Sequence, residues 1–191
     1  MSRGGDQAVI SKYGEELKFF GGKSNAVETS SKVKVRSVAD SLASLISNSS
    51  NVLIMGHTET DMDSLGAALG VRAMCEWKKK PSKIVFDGKY AEKKTRLALM
   101  SSFSKDEIDD LCILPKEALG ELKETSLVVV VDTSVPSMVV EPKLLEKASK
   151  VIVIDHHRRG ESFVEKPVLS YIDASASSAS ENVAEFIRFA T

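Results

Sequence analysis

Apolar and polar positions change rhythm along this chain. Over residues 1–32 the apolar residues come in short groups, Ala8 to Ile10 and Leu17 to Phe20, set between glycine pairs. That pattern offers short strands and glycine turns but too few apolar side chains to close a core. From Val33 onward, Val38, Leu42, Leu45 and Ile46 recur at helical spacing, and the polar run Asn48 to Asn51 ends the helix. Strands and helices then alternate. "NVLIMG", "SKIVFD", "SLVVVVD" and "KVIVID" read as strands, "PVLSYID" as a fifth, with helices in most of the gaps. Unbroken Val/Ile runs, rather than alternating ones, mark strands covered on both faces. The expected fold is α/β, a doubly wound and mainly parallel sheet flanked by helices.

The residues just past three of these strands add chemistry to the pattern. "NVLIM" leads into His57, Asp61 and Asp63, "LVVVV" into Asp132, and "VIVI" into Asp155, His156 and His157. In an open α/β sheet the ligand crevice lies beyond the carboxyl ends of the strands, so three strand ends deliver these side chains to one place. The chain has 3 histidines in all, and every one of them falls in this set. Aspartate and imidazole together suit Mn²⁺, Fe²⁺ or Zn²⁺, and with no thiolate nearby a purely structural zinc site is disfavoured. Carboxylates crowded at one point repel and shift upward in pKa unless cations offset them. Each piece has a plainer alternative: Asp63 as a helix N-cap, Asp132 as the opening of a turn, His57 as a hydrogen-bonded structural histidine. Ser175, Ser177 and Ser178 precede a helix whose amides could hold an anion, and capping is the alternative there.

Composition narrows the partners. Of 191 residues, 42% are hydrophobic and 28% charged, ordinary for a globular domain, and the formal net charge of -1 gives no footprint for a long nucleic acid. "KKK" at Lys78 to Lys80 reads as a solvated helix end. Cys75 and Cys112 lack metal-type spacing and read as free thiols. No apolar run reaches the length of a membrane span, and the first residues lack the apolar stretch of a signal peptide, so no membrane contact is expected of the chain itself.

Four stretches, "GHTETDMDSLGAALG", "VVVVDTSVPSMV", "VIVIDHHRRG" and "YIDASASSASENVAEFI", together resemble the DHH phosphoesterase superfamily, named after the motif at Asp155, His156 and His157. "RGGDQAVI" resembles the tail of a degenerate GGDEF domain, an arrangement similar to the membrane-anchored cyclic-di-AMP phosphodiesterases of the GdpP (YybT) family. The resemblance implies a remnant GGDEF domain and linker over residues 1–32 and a DHH domain over 33–191. It implies one Mn²⁺ held by His57, Asp61 and Asp132 and a second by Asp63, Asp132 and His156, with Asp132 as the bridge. His157 would face the phosphate, stabilising charge or protonating the leaving oxygen, and Asp155 would accept a hydrogen bond that orients a metal ligand. The expected substrate is a cyclic dinucleotide, with short oligonucleotides or pyrophosphate as alternatives, and a metal-binding module without turnover as a further one. In the family a further aspartate belonging to the second metal and a glycine-rich C-terminal domain come later in the chain, so the two ions are expected in the full-length enzyme and this chain is expected to be truncated at both ends and weakly active or inactive. The same resemblance implies a location at the cytoplasmic face of the membrane, anchored by upstream segments, and a homodimer in the full-length protein.

Overall fold

A computed structural model describes residues 8–10, 18–20, 25–158, 160 and 162–190. Two short strands, β1 (Ala8–Ile10) and β2 (Lys18–Phe20), pair antiparallel with each other. The "GGDQ" stretch at Gly4 to Gln7, on which the GGDEF resemblance rests, lies outside the described residues. Helix α1 (Asn25–Ser47) starts ahead of the Val33 position that apolar spacing suggests, because Ala26 to Lys32 extends the helix with residues that pattern alone does not mark. α1 thus runs unbroken across residue 32.

Six strands form one wholly parallel sheet: β3 (Val52–Met55), β4 (Ser82–Val85), β5 (Cys112–Ile113), β6 (Leu127–Val131), β7 (Lys150–Asp155) and β8 (Leu169–Ile172). The order across the sheet is β5-β4-β3-β6-β7-β8. The chain therefore builds outward from β3 in one direction, returns, and builds outward from β6 in the other. β3 and β6 flank the point where the direction reverses, which is where open α/β sheets form their ligand crevice. Among the six, β5 is the strand that apolar pattern does not announce. It is two residues long, at the sheet edge, and joined to β4 by pairs at Ile84 and Val85.

All five residues of β6 are buried, as are all four of β3. Side chains alternate between two cores, as the pleat requires. Ile54, Val129, Val131, Ile152 and Ile154 meet residues of α1, α2 (Met62–Trp77) and α7 (Ala179–Phe189) on one face. Leu53, Met55, Val128, Val130 and Val153 pack on the other face against Ala118 of α5 (Pro115–Ala118) and Leu144 of α6 (Pro142–Lys147). Between β4 and β5 lie α3 (Lys93–Ser102) and α4 (Lys105–Leu111), whose start is fixed by a capping box between Ser104 and Glu107. Among the described residues no helix is long and apolar enough to cross a membrane. Cys75 and Cys112 are free thiols, with burial pushing them up to about 12 and about 11 respectively.

The small residues of α2 set how closely α7 can lie. A Cβ on Gly66 would stand 2.7 Å from Ser180 Oγ, and one on Gly70 would stand 2.6 Å from Val183 Cγ1. These approaches need glycine, and they bring the first turn of α7 over the start of α2.

Candidate metal centre

The loop leaving β3 is pinned before it enters α2. Thr58 donates its N–H to Met138 O at 2.8 Å, Val140 donates to Gly56 O at 3.0 Å, and Thr60 Oγ1 donates to His57 O at 2.8 Å. A Cβ on Gly56 would lie 1.8 Å from Ser64 Oγ, so the strand can pass this close to the helix start only with glycine there. Asp61 is the N-cap of α2, its Oδ1 accepting the Ser64 N–H at 2.9 Å. The cap that sequence assigned as the alternative role of Asp63 therefore belongs to Asp61. Asp63 sits in the first turn instead, with its carboxylate turned toward α7.

Asp132 comes directly after the last residue of β6 and adopts a φ of 61°. A left-handed conformation costs a residue with a Cβ about 1–2 kcal/mol, less for aspartate than for most. Its N–H still donates to Ile154 O at 2.9 Å, so the ladder with β7 continues while the side chain is turned into the crevice. Only 3% of Asp132 is exposed. Its Oδ2 lies 3.4 Å from His57 Nε2, and its Oδ1 lies 3.4 Å from His156 Nε2. His57 Nε2 is also 3.7 Å from Asp61 Oδ1, and His156 Nε2 is 3.5 Å from Asp63 Oδ2. One carboxylate thus offers an oxygen to each of two imidazoles, and each imidazole has a second carboxylate beside it.

These separations are long for hydrogen bonds. They suit two ligands of one ion, which stand about 3–3.5 Å apart when each is about 2.1 Å from it. Asp132 Oδ1 is buried without a hydrogen-bond partner among the described residues, a costly arrangement for a carboxylate oxygen unless a cation meets it. Among the described residues, two groups have ligand atoms within 4.8 Å of one another: His57, Asp61 and Asp132, and Asp132, His156 and His157. The residues present fit divalent metal on both counts, orphaned buried oxygen and mixed carboxylate-imidazole donors. In the second group His157 occupies the place that the family resemblance gives to Asp63, yet its Nδ1 is 3.9 Å from Asp132 Oδ1 and only 2.8 Å from Asp155 Oδ1.

Protonation is set by these contacts. The contact with Asp132 raises His57 above its ordinary 6.5; burial opposes this, and the charges of Asp132, Asp61 and Glu59 add to it. Burial lifts Asp132 above the usual carboxylate range, and the neighbouring Asp63 and Asp61 charges push the same way against His57. Burial pushes Asp63 upward too, but hydrogen bonds from Ser180 and Ala179, with a smaller effect of the Asp132 side chain, outweigh it and hold the carboxyl below its ordinary value.

Asp155, fully buried, accepts from the backbone N–H of both His156 and His157 and stands against the His157 ring. The ring that the Asp155 side chain meets is that of His157, whereas His156 gives it only a backbone N–H. The three serines ahead of α7 have local partners. Ser175 donates its N–H and hydroxyl to Asp173 Oδ1, Ser177 donates both to Glu181 Oε2, and Ser178 Oγ accepts the Glu181 N–H as N-cap. Of these, Ser177 and Ser178 line the crevice, a cavity of about 860 Å³ that also takes in the metal-type ligands, Met138 and Arg158. The anion that the α7 amides hold is Asp63: Ala179 N–H donates to Oδ2 and Ser180 N–H to Oδ1, each at 2.8 Å. No local pattern marks that contact, which joins residues 116 and 117 positions apart.

A parallel sheet whose strand order reverses between β3 and β6, with aspartates and histidines gathered at the strand ends, defines the class. The chain belongs to the DHH family: the model of its N-terminal domain matches residues 51–191. It is 40% identical over 189 residues to the cyclic-di-AMP phosphodiesterase GdpP of Geobacillus thermodenitrificans and 38% identical over 189 residues to that of Bacillus subtilis. It is 40% identical over 190 residues to the cyclic-di-AMP phosphodiesterase PdeA of Listeria monocytogenes. Each alignment takes in 99% of this chain but 29% of the relative's length. Among solved structures, an exopolyphosphatase-related protein from Bacteroides fragilis superposes with a TM-score of 0.60 over 81% of this chain and 44% of that one, at 18% identity. That likeness bears on the fold alone.

Proposed function

We propose that the chain carries the metal-holding core of a phosphodiesterase that hydrolyses cyclic-di-AMP to linear pApA. The observation that carries this reading is Asp132, a buried carboxylate turned so that one oxygen faces His57 and the other faces His156. The substrate comes from the relatives named as cyclic-di-AMP phosphodiesterases. In this reading His57, Asp61 and Asp132 hold one Mn²⁺, and Asp63, Asp132 and His156 hold the other. When bound, such a pair of ions activates a water for attack on phosphorus and offsets charge on the phosphoryl oxygens.

The chain's own groups do the rest. His157 keeps Nδ1 against Asp155, which fixes the ring and leaves Nε2 as the atom available to the crevice. From Nε2, the imidazolium form gives its proton to the departing 3′-oxygen, while Asp155 stabilises the positive ring. Rigid placement of the ligands by the pinned loop after β3 means little reorganisation is needed when substrate arrives. The matched stretch is 29% of each relative, so we expect the 191 residues alone to turn over more slowly than a whole relative. Membrane anchoring and pairing of copies belong to the same reading of the full-length protein.

The test is hydrolysis of cyclic-di-AMP with Mn²⁺, with chelator, and with pyrophosphate or a short oligonucleotide as competing substrates. The reading expects Mn²⁺-dependent pApA from the cyclic dinucleotide in preference to the others. Equal cleavage of pyrophosphate or of oligonucleotide would move the assignment to those substrates.

A further inference from the structure

Ser180 and Ala179 belong to neither ligand set, yet they make the closest polar contacts to Asp63. Both oxygens of the Asp63 carboxylate accept a backbone N–H, from Ala179 and from Ser180, each at 2.8 Å, and Ser180 Oγ donates to the Asp63 carbonyl oxygen at 2.8 Å. Three hydrogen bonds from one helical turn therefore fix one residue, side chain and backbone together. The same helix is tied to the end of β7, where Asn182 Nδ2 donates to Asp155 O at 3.4 Å. Gly66 and Gly70 let the two helices approach, since a Cβ on either would meet Ser180 or Val183 below 3 Å.

We propose that the first turn of α7, through Ala179 and Ser180, is a positioning element that aims Asp63 at one of the two ions and not the other. This rests on reading Asp63 as a ligand of the second ion. Each carboxylate oxygen has two acceptor directions. The amides take one on each oxygen, and Oδ2, 3.5 Å from His156 Nε2, keeps the other for the space between the two. A free aspartate side chain would sample several rotamers, whereas this one is held before metal arrives. His57, Asp61 and the Oδ2 side of Asp132 make no contact of this kind with α7 among the described residues, so the effect should be confined to the second site.

Two substitutions separate this role from general stability. Ala179 is the first residue of α7 and comes after Ser178, whose φ of -161° and ψ of 159° are extended. Proline is favoured at that first position and after an extended residue, so Ala179→Pro removes one N–H from Asp63 while leaving the helix bonds intact. Ser180→Ala removes only the hydroxyl, and Ser180→Thr restores it. The readout is Mn²⁺ binding by calorimetry on the full 191-residue chain, with thermal unfolding of the metal-free protein alongside. Ala179→Pro should weaken one Mn²⁺ about tenfold or more, in the range seen when groups behind a ligand are lost. Ser180→Ala should weaken the same ion about threefold, the scale of one neutral hydrogen bond, and Ser180→Thr should recover it. In each case the other ion should bind as in wild type. In the metal-free chain, Asp63→Ala should speed hydrogen exchange at the Ala179 and Ser180 amides. If Ala179→Pro does not fold, Ser180→Ala and its threonine partner decide alone. Unchanged binding in folded Ala179→Pro, unchanged binding in Ser180→Ala, or equal weakening of both ions would overturn the proposal while leaving the two-ion reading in place. A wild-type chain that takes up no Mn²⁺ would overturn both.

Discussion

Asp155 Oδ1 stands 2.8 Å from His157 Nδ1 and accepts, on the same atom, the N–H of His156 at 2.8 Å and of His157 at 3.1 Å. One buried oxygen thus holds the backbone turn that presents both histidines. Replacing Asp155 with alanine strands two backbone donors and frees the His157 ring. We expect Asp155→Ala to lose on the order of 1–2 kcal/mol of stability, the cost of leaving part-buried backbone donors unpaired. Urea denaturation of the metal-free protein measures this, and a loss below about 0.5 kcal/mol would mean that water satisfies the turn equally well.

Gly70 offers a test of helix packing against helix propensity. Alanine in place of a helical glycine gains up to about 1 kcal/mol from propensity. Here the new Cβ would stand 2.6 Å from Val183 Cγ1, and overpacking costs about 1–3 kcal/mol. Gly70→Ala should therefore be destabilising on balance, read as a lower urea midpoint. A raised midpoint would show that α7 yields without penalty.

His57 predicts how metal binding depends on pH. Its folded pKa is raised above 6.5, chiefly by Asp132. A raised histidine contributes stability that is complete below 6.5 and is lost as pH rises through the folded pKa. Binding metal needs the neutral ring, so apparent Mn²⁺ affinity should rise with pH across the same window, with proton release. Calorimetry in two buffers of different ionisation enthalpy detects that proton. Equal heats in both buffers, with no pH trend from 6.5 upward, would place His57 outside the metal site.

Asp63 predicts the acid limb. Its folded pKa lies below the ordinary 3.8, so its stabilising contribution is present above 3.8 and is lost as pH falls through the folded value. In metal-free protein, Asp63→Ala should flatten the fall of stability in that acid range. An acid limb identical to wild type would deny the α7 contact its energetic weight.

Much of the sheet is written in the sequence because strands buried on both faces must be apolar throughout, as Leu127–Val131 and Val52–Met55 are. The strand-end aspartates and histidines were legible for the same reason: charge directly after such a run has few structural uses. Cys112–Ile113 was not, since two residues carry no periodicity and pairing with β4 alone makes them a strand. The start of α1 at Asn25 was hidden by residues with weak preference. The capping role fell to Asp61 rather than Asp63 because the cap depends on backbone angles, here a φ of -99° and ψ of -172°, which two nearby aspartates satisfy equally well on paper. The clamp of α7 on Asp63 could not be read at all, because local pattern carries no information about a contact between residues so far apart in the chain. Serines that look like an anion site ahead of a helix instead spend their hydroxyls on Asp173 and Glu181.

Whether Asp132 joins two ions is decided most directly by Mn²⁺ titration of the wild-type chain, Asp132→Ala and His157→Ala. Wild type should bind two ions, and Asp132→Ala should lose both together because it withdraws a ligand from each. His157→Ala should bind as wild type, since its Nδ1 stands against Asp155 and the proposed role of its Nε2 is toward substrate rather than metal. Retention of wild-type stoichiometry and affinity by Asp132→Ala would contradict the bridging role of that carboxylate.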